Sequence, residues 1–305
     1  MRRGSVRAGW GFALVLLSGC AGFRHRSGES TRPARPPSLG SGRLRDDDAP
    51  GAAARRRELS EAAQTAIDQH AYDQARGILE RLATENTRSA EAQHRLGSVL
   101  QLQGWLDGAK SAYLKALGLD PDYVGALVGL GQVEAKLGRR DEAIRRLTQA
   151  IEVDPRQSEA HFTLGEVYES LGKDDNALAA YFRALEIEPG SAPTILRVAV
   201  LQLRRNQPDQ ALARLDQALE VAPKDPEIRY QRGRAHLALK HPAQALADLK
   251  AAAETLPNRS EVLYSLALAF EMSKKNRDAL VTVEKALTLA PGDPASLDLA
   301  TRLRR

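Results

Sequence analysis

A 34-residue period constrains this chain more than any other feature of its sequence. Prolines recur at this interval six times, from Pro121 to Pro291, and alanines recur seven times, from Ala75 to Ala279. Small residues keep the same interval at a third position: Ala63, Gly97, Gly131, Gly165, Ala199, Gly233 and Ala267. No insertion interrupts the pattern between residues 56 and 293. The sequence therefore predicts seven consecutive units of one structural kind.

Each unit predicts two helices, as residues 124–157 illustrate. Apolar residues recur at helical spacing up to Gly138, and glycine suits the left-handed end of a helix. A second apolar stripe includes Ala143 and Leu147 and ends before Pro155, since proline disfavours a helical residue before it. A helical hairpin of this size buries too little surface alone, so we expect each unit to stack on its neighbours.

The repeat resembles the tetratricopeptide repeat. Positions are counted from the first residue of each unit (56, 90, 124, 158, 192, 226 and 260). Leu-Gly stands early in the unit, alanine at positions 20 and 27, and proline at position 32. The resemblance covers residues 56–293 and implies an all-α, right-handed superhelical solenoid of seven helix-turn-helix units. Residues 294–305 predict a C-terminal capping helix with a polar, basic end.

The amino terminus predicts a secretory signal. Residues 1–7 are basic, and the ten apolar residues after them are too few for a membrane-spanning helix, which needs about 20. Leu17-Ser18-Gly19-Cys20 resembles the lipobox of bacterial lipoproteins. The resemblance implies that residues 1–19 are a signal peptide, that Cys20 is lipidated, and that the protein faces the periplasm from the outer membrane. An ordinary cleaved signal and a chance apolar start remain alternatives.

Residues 20–55 predict a disordered tether that follows the lipidated cysteine. The segment is rich in arginine, proline, serine and glycine and has no apolar period, so it cannot bury enough surface to fold. As a flexible coil it spans roughly 30–35 Å. It serves as a spacer, or its arginines bind anionic lipid head groups.

Neither charge nor motifs favour catalysis or nucleic-acid binding. The chain carries a net charge of +5, but residues 56–305 carry about −1, which leaves no excess of positive charge for phosphates. The six histidines lack metal-ligand spacing, and Ser170-Leu-Gly-Lys173 lacks the companion motifs of S-x-x-K enzymes. We expect no enzymatic activity, metal, cofactor, small-molecule substrate or nucleic-acid partner. An unrecognised enzyme is the distant alternative.

The family resemblance implies a concave face, formed by the first helix of each unit, that binds protein partners. The predicted peptide groove consists of Phe162, Leu196, Val200, Leu203, Tyr230, Arg234, Leu237, Tyr264 and Leu268. Its predicted acidic rim consists of Glu159, Glu166, Glu169, Glu227, Glu261 and Glu271. Such a groove suits a peptide with apolar anchors and some positive charge. In the alternative interpretation these apolar side chains only pack the repeats together.

Unit six, residues 226–259, departs from the pattern at Arg232, where units two, three, four and seven carry leucine. A buried guanidinium is costly unless it is paired, so we expect a carboxylate beside it: Asp216, Glu220 or Asp248. Alternatively, the charges mark a flexible seam or a binding spot between units five and six.

Together these features predict a non-enzymatic, lipid-anchored scaffold for protein–protein interaction in the bacterial envelope. Resemblance to lipoproteins with tetratricopeptide repeats implies a role in the assembly of type IV pili or secretins. An adaptor for cell-wall hydrolases or envelope proteases is the alternative.

Overall fold

The computed structural model describes residues 51–85 and 89–305, and every regular element within them is an α-helix. The predicted all-helical solenoid of two-helix units is confirmed. The predicted signal peptide, Cys20 and residues 21–50 of the predicted tether lie outside the described residues.

The described residues form fifteen helices, two for each unit and one more at the carboxyl end. They are α1 Ala52–Asp68, α2 Tyr72–Glu85, α3 Ala90–Leu102, α4 Leu106–Leu119, α5 Val124–Lys136, α6 Arg140–Val153, α7 Ser158–Ser170, α8 Asp174–Ile187, α9 Ala192–Arg204, α10 Pro208–Val221, α11 Pro226–Ala238, α12 Pro242–Thr255, α13 Ser260–Met272, α14 Asn276–Leu289 and α15 Pro294–Leu303. The first helix begins at Ala52, so residues 52–55, predicted as the end of the disordered tether, are helical.

A residue in the left-handed conformation separates the two helices of every unit. Gly138, predicted as such a helix end, has φ of +75°. Gly104 and Gly172 occupy the same position in neighbouring units. The other four units place a residue with a side chain there: His70, Asn206, Lys240 and Lys274, with φ between 56° and 60°. The tight turn is therefore kept in all seven units, with glycine in only three of them.

A small residue on the first helix allows the second helix to approach closely. A methyl group on Gly165 would lie 2.5 Å from the Tyr181 ring, and one on Gly131 would lie 2.7 Å from Leu147. Tyr181 and Leu147 both stand at position 24 of their units, on the second helix. The pairing of positions 8 and 24 therefore sets the distance between the two helices of a unit.

The core is a succession of apolar clusters that join neighbouring units. In one of them Tyr181 of unit four, Ile195 of unit five and Ile228 of unit six are packed together and fully buried. At the carboxyl end, Leu299 and Ala300 of α15 pack against buried residues of α13 and α14. This packing confirms the predicted capping helix and the stacking of units.

Candidate functional site

The first helices of successive units form one face, here called the first-helix face, which carries the predicted groove. Neighbouring first helices contact each other at α5–α7, α9–α11 and α11–α13. Arg234 is exposed, Tyr230 is buried, and the other seven predicted groove residues are half-buried. Those seven are Phe162, Leu196, Val200, Leu203, Leu237, Tyr264 and Leu268. The half-buried side chains keep apolar surface available on this face.

Tyr230 does not offer its ring to a ligand, because two arginines cover it. Only 6% of the residue is exposed. The Arg234 guanidinium lies 5.7 Å from the ring centroid and that of Arg259 lies 5.3 Å from it. Arg259 also pairs with Glu227. Around Tyr230, the outer layer of the first-helix face is therefore made of charged side chains, and the tyrosine lies beneath them.

Most of the predicted acidic rim is paired with the chain's own arginines. Four of its six carboxylates form ion pairs, each with an arginine about one repeat further along the chain. These pairs are Arg197–Glu166 at 3.3 Å, Arg204–Glu169 at 2.5 Å, Arg302–Glu271 at 2.9 Å and Arg259–Glu227. The first two pairs connect units four and five, the third connects unit seven to the capping helix, and the fourth lies within unit six. Together they leave less negative charge for a partner than the sequence predicts.

Glu159 and Glu261 are the two rim residues without an ion pair within 4 Å among the described residues. Glu159 instead accepts a hydrogen bond of 2.8 Å from the Gln132 side chain. Glu166 is more shielded: burial raises the pKa of its carboxyl above the ordinary value, and Arg197 opposes that shift. Glu159 is exposed and therefore offers the more accessible negative charge.

A cavity of about 450 Å³ opens on the first-helix face between α5 and α7. Its volume lies in the range of ligand-binding clefts. Three predicted residues line it: Glu159, Phe162 and Glu166. The remaining lining residues were not predicted from the sequence: Gln101, Gln132, Ala135, Lys136, Arg140, Thr163, Val167 and Ser170.

The cavity lies between α5 and α7 because short side chains border it there. Between α7 and α9, Arg197 and Arg204 reach across to carboxylates of α7. Thr163 and Ser170 occupy the equivalent positions, 6 and 13, one repeat earlier. Their side chains are too short to span two helices, so the space stays open. Threonine and serine at positions where the next unit has arginine are the sequence signal that could have located this cavity.

A chain of hydrogen bonds runs across units two to four to one end of the cavity. The Tyr113 hydroxyl donates to Gln101 Oε1 at 3.0 Å, and Gln101 Nε2 donates to Gln132 Oε1 at 2.9 Å. Gln132 Nε2 in turn donates to Glu159. Burial raises the pKa of Tyr113 to about 12, so its hydroxyl keeps the donating proton at neutral pH. The chain fixes both amide orientations and holds the Glu159 carboxylate in place.

The expected carboxylate partner of Arg232 is confirmed. Arg232 makes two hydrogen bonds of 2.7 Å to Asp248 and one of 2.9 Å to Asp216. Asp248 is buried, and its hydrogen bonds raise the pKa of Arg232 above the usual range. His236 lies 3.9 Å from Asp248, and burial lowers its pKa. Glu220, the third candidate, forms no ion pair with Arg232.

No metal-binding arrangement is found in the described part of the chain. Within residues 51–85 and 89–305, no group of three histidine, cysteine or acidic residues is placed to hold a metal ion. None of the helices there is both long and apolar enough to cross a membrane. The proposed lipidation site, Cys20, lies outside these ranges.

Family models described as the tetratricopeptide repeat match four ranges of the chain: residues 90–123, 128–192, 170–237 and 230–294. Together these ranges cover more than half of the chain. No protein with a curated description matches the sequence.

Several solved structures share the fold. PilF of Pseudomonas aeruginosa matches with a TM-score of 0.64 and 20% identity, over 70% of this chain and 97% of that chain. PilW, a type IV pilus biogenesis factor, matches with a TM-score of 0.61 and 17% identity, over 68% of this chain and 96% of that chain. The Cut9–Hcn1 hetero-tetramer of the APC/C matches with a TM-score of 0.63 and 17% identity, over 83% of this chain but only 47% of that chain.

Proposed function

Since this chain belongs to the tetratricopeptide repeat family, we propose that it is a non-enzymatic scaffold that binds segments of other proteins on its first-helix face. The observation that carries the proposal is the row of half-buried apolar side chains on α7, α9, α11 and α13. Core packing alone does not require such side chains to keep exposed surface. Stacked helical units present an extended surface of this kind to peptide partners.

We further propose that the scaffold is anchored in the bacterial envelope through a lipid on Cys20. Support comes from the basic start, the short apolar run and the four residues that end in this cysteine. Two or three acyl chains give a stable anchor, whereas one gives marginal binding. Cys20→Ala should abolish incorporation of radiolabelled palmitate and move the protein from the membrane to the soluble fraction. Unchanged fractionation would contradict the anchor.

Type IV pilus or secretin assembly is the process we propose for it. The fold similarity to PilF and to PilW, a type IV pilus biogenesis factor, supports this choice. Deletion of the gene should then reduce surface pili or the assembled secretin. Normal pili and secretin in the deletion strain would contradict this role and leave the scaffold function untouched.

Two valine-to-glutamate variants, one on the first-helix face and one outside it, test the binding face. Val200 is half-buried on the first-helix face of unit five, and Val221 is exposed at the end of the second helix of the same unit. Val200→Glu should reduce recovery of crosslinked partners from native membranes about tenfold or more, whereas Val221→Glu should retain them. Circular dichroism checks that both variants stay folded. Equal recovery with the two variants would contradict binding on this face.

A further inference from the structure

We propose that the cavity between α5 and α7 binds an extended peptide segment in which a basic and an acidic side chain, about five residues apart, flank an apolar one. This inference rests on the proposed function, because it specifies the chemistry of the partner at the first-helix face. It is carried by the arrangement of charged side chains along the cavity.

The two ends of the cavity carry opposite charges. Glu159 lies at one end, beside Gln132. Lys136 and Arg140 lie toward the other end, where Arg140 Nε donates a hydrogen bond of 3.0 Å to Ser170. None of these three charged residues has an ion-pair partner within 4 Å among the described residues. A ligand with a basic side chain beside Glu159 and an acidic side chain beside Lys136 and Arg140 would supply the missing partners.

The neighbouring α7–α9 seam shows how the chain itself completes such a pattern. There Arg204 pairs with Glu169, and Arg197 pairs with Glu166. Thr163 and Ser170 replace those arginines at the α5–α7 seam. The α5–α7 seam therefore lacks the ion pairs that close the next seam.

The spacing of the charges sets the length of the ligand. Residues 159 and 170 of α7 lie eleven residues apart, and a helix rises 1.5 Å per residue, which places them about 16 Å apart. An extended peptide rises about 3.3 Å per residue, so about five residues cover this distance.

Apolar side chains lie between the charged ends, beside Glu166, whose carboxylate is paired with Arg197. Phe162 is half-buried and packs on Tyr181, with 5.7 Å between the ring centroids. Ala135 and Val167 complete this part of the lining. A leucine or isoleucine in the middle of the ligand would cover the exposed part of the Phe162 ring. The site thus combines an apolar middle with a negative charge at one end and positive charges at the other.

Fluorescence polarisation with defined peptides tests the proposal on the full chain. The first probe is a capped, fluorescein-labelled octapeptide with lysine and aspartate five positions apart and leucines between them. The second has the two charges in reverse order, which tests the direction in which the peptide chain runs along the cavity. The third carries serine in place of both charges. We expect one of the charged peptides to bind at least tenfold more tightly than the serine peptide, with a preference that weakens as salt increases.

Charge reversal in the protein identifies the contact. Glu159→Lys should weaken binding of the preferred peptide about five- to tenfold. It should strengthen binding of the variant peptide in which aspartate replaces the lysine. The matched control is Glu152→Lys, since Glu152 is an exposed carboxylate on α6, outside the cavity. Lys136→Glu should act on the acidic end of the peptide in the same way, with Lys115→Glu on α4 as its control.

Two results would overturn the inference: equal affinity for the charged and serine peptides, or equal effects of Glu159→Lys and its control. If Phe162→Ala alone weakens binding, peptide capture on the first-helix face stands and the charge pattern is wrong. If partner capture also survives Val200→Glu, the proposed function fails together with the inference.

Discussion

Lys274 adopts a backbone conformation that favours glycine. Its φ is +60°, whereas the equivalent residues of units two to four are glycines. A side chain in the left-handed region costs about 1–2 kcal/mol, which glycine avoids. Glycine also loses more backbone entropy on folding, which offsets part of this gain. Lys274→Gly should therefore increase the free energy of unfolding by about 0.5–1 kcal/mol, measured by urea titration. Gly138→Ala, the reverse exchange in unit three, should decrease it, and a destabilised Lys274→Gly variant would contradict the explanation.

Half-buried Arg232 and buried Asp248 form an ion pair at two positions where units two and four have apolar residues. Units two and four carry leucine and alanine at these two positions: Leu96 with Ala112, and Leu164 with Ala180. Arg232→Leu alone leaves the Asp248 carboxylate buried without its main partner and should cost about 3–5 kcal/mol of stability.

The double variant Arg232→Leu/Asp248→Ala recreates the pair of units two and four. It should return to within about 1 kcal/mol of the native chain, because replacing a whole buried ion pair with apolar residues is often neutral. Urea titration of the two variants measures the difference. A double variant as unstable as the single one would show that the cluster has another role, for instance through His236.

At the residue scale, the sequence predicts partners only where burial demands them. The need of a guanidinium for a carboxylate predicts three candidates, of which Asp216 and Asp248 pair with Arg232 and Glu220 does not. The covering of Tyr230 could not be predicted, because Arg259 belongs to the end of the unit and reaches the ring only in the folded stack. The pairing of the acidic rim was missed for the same reason, since each arginine lies about 30 residues from its glutamate.

The helix pair of a unit depends on a small residue facing a large one. In unit four Gly165 faces the Tyr181 ring, and in unit six Gly233 faces Leu249. Unit five already combines alanine with leucine, as Ala199 and Leu215. Gly165→Ala should therefore destabilise the chain by about 1–3 kcal/mol through overpacking against a rigid ring.

Gly233→Ala is the matched control for that substitution. Leucine can change its rotamer, and alanine gains about 1 kcal/mol of helix propensity over glycine, so the net change should stay close to zero. Thermal or urea unfolding of both variants provides the comparison. Equal losses at the two sites would contradict the idea that the position-24 side chain sets the helix separation.

At the element scale, the 34-residue period predicts which helices form, how they pair and where the last one caps the stack. These features follow from positions that every unit repeats. The cavity between α5 and α7 could not be predicted in this way. It results from Thr163 and Ser170, which stand where the next unit has arginines that form ion pairs across the seam. The repeat pattern specifies what the units share, whereas the cavity depends on residues that the pattern does not repeat.

Along the described units, each helix pair packs against the pair next to it, and the surface chemistry changes from seam to seam. The α5–α7 seam is open with a charge of each sign, the α7–α9 seam is closed by ion pairs, and unit six is covered by Arg234 and Arg259. An extended partner that follows the first-helix face would therefore meet a fixed order of apolar, charged and closed segments.

Site-specific photo-crosslinking in cells tests most directly whether partners bind the first-helix face. A photoreactive phenylalanine analogue replaces, one at a time, Leu203 and Leu268 on first helices and Val221 and Leu289 at the ends of second helices. We expect partner adducts from positions 203 and 268 and none above background from 221 and 289. Adducts formed only from 221 and 289, or equally from all four positions, would contradict binding on the first-helix face.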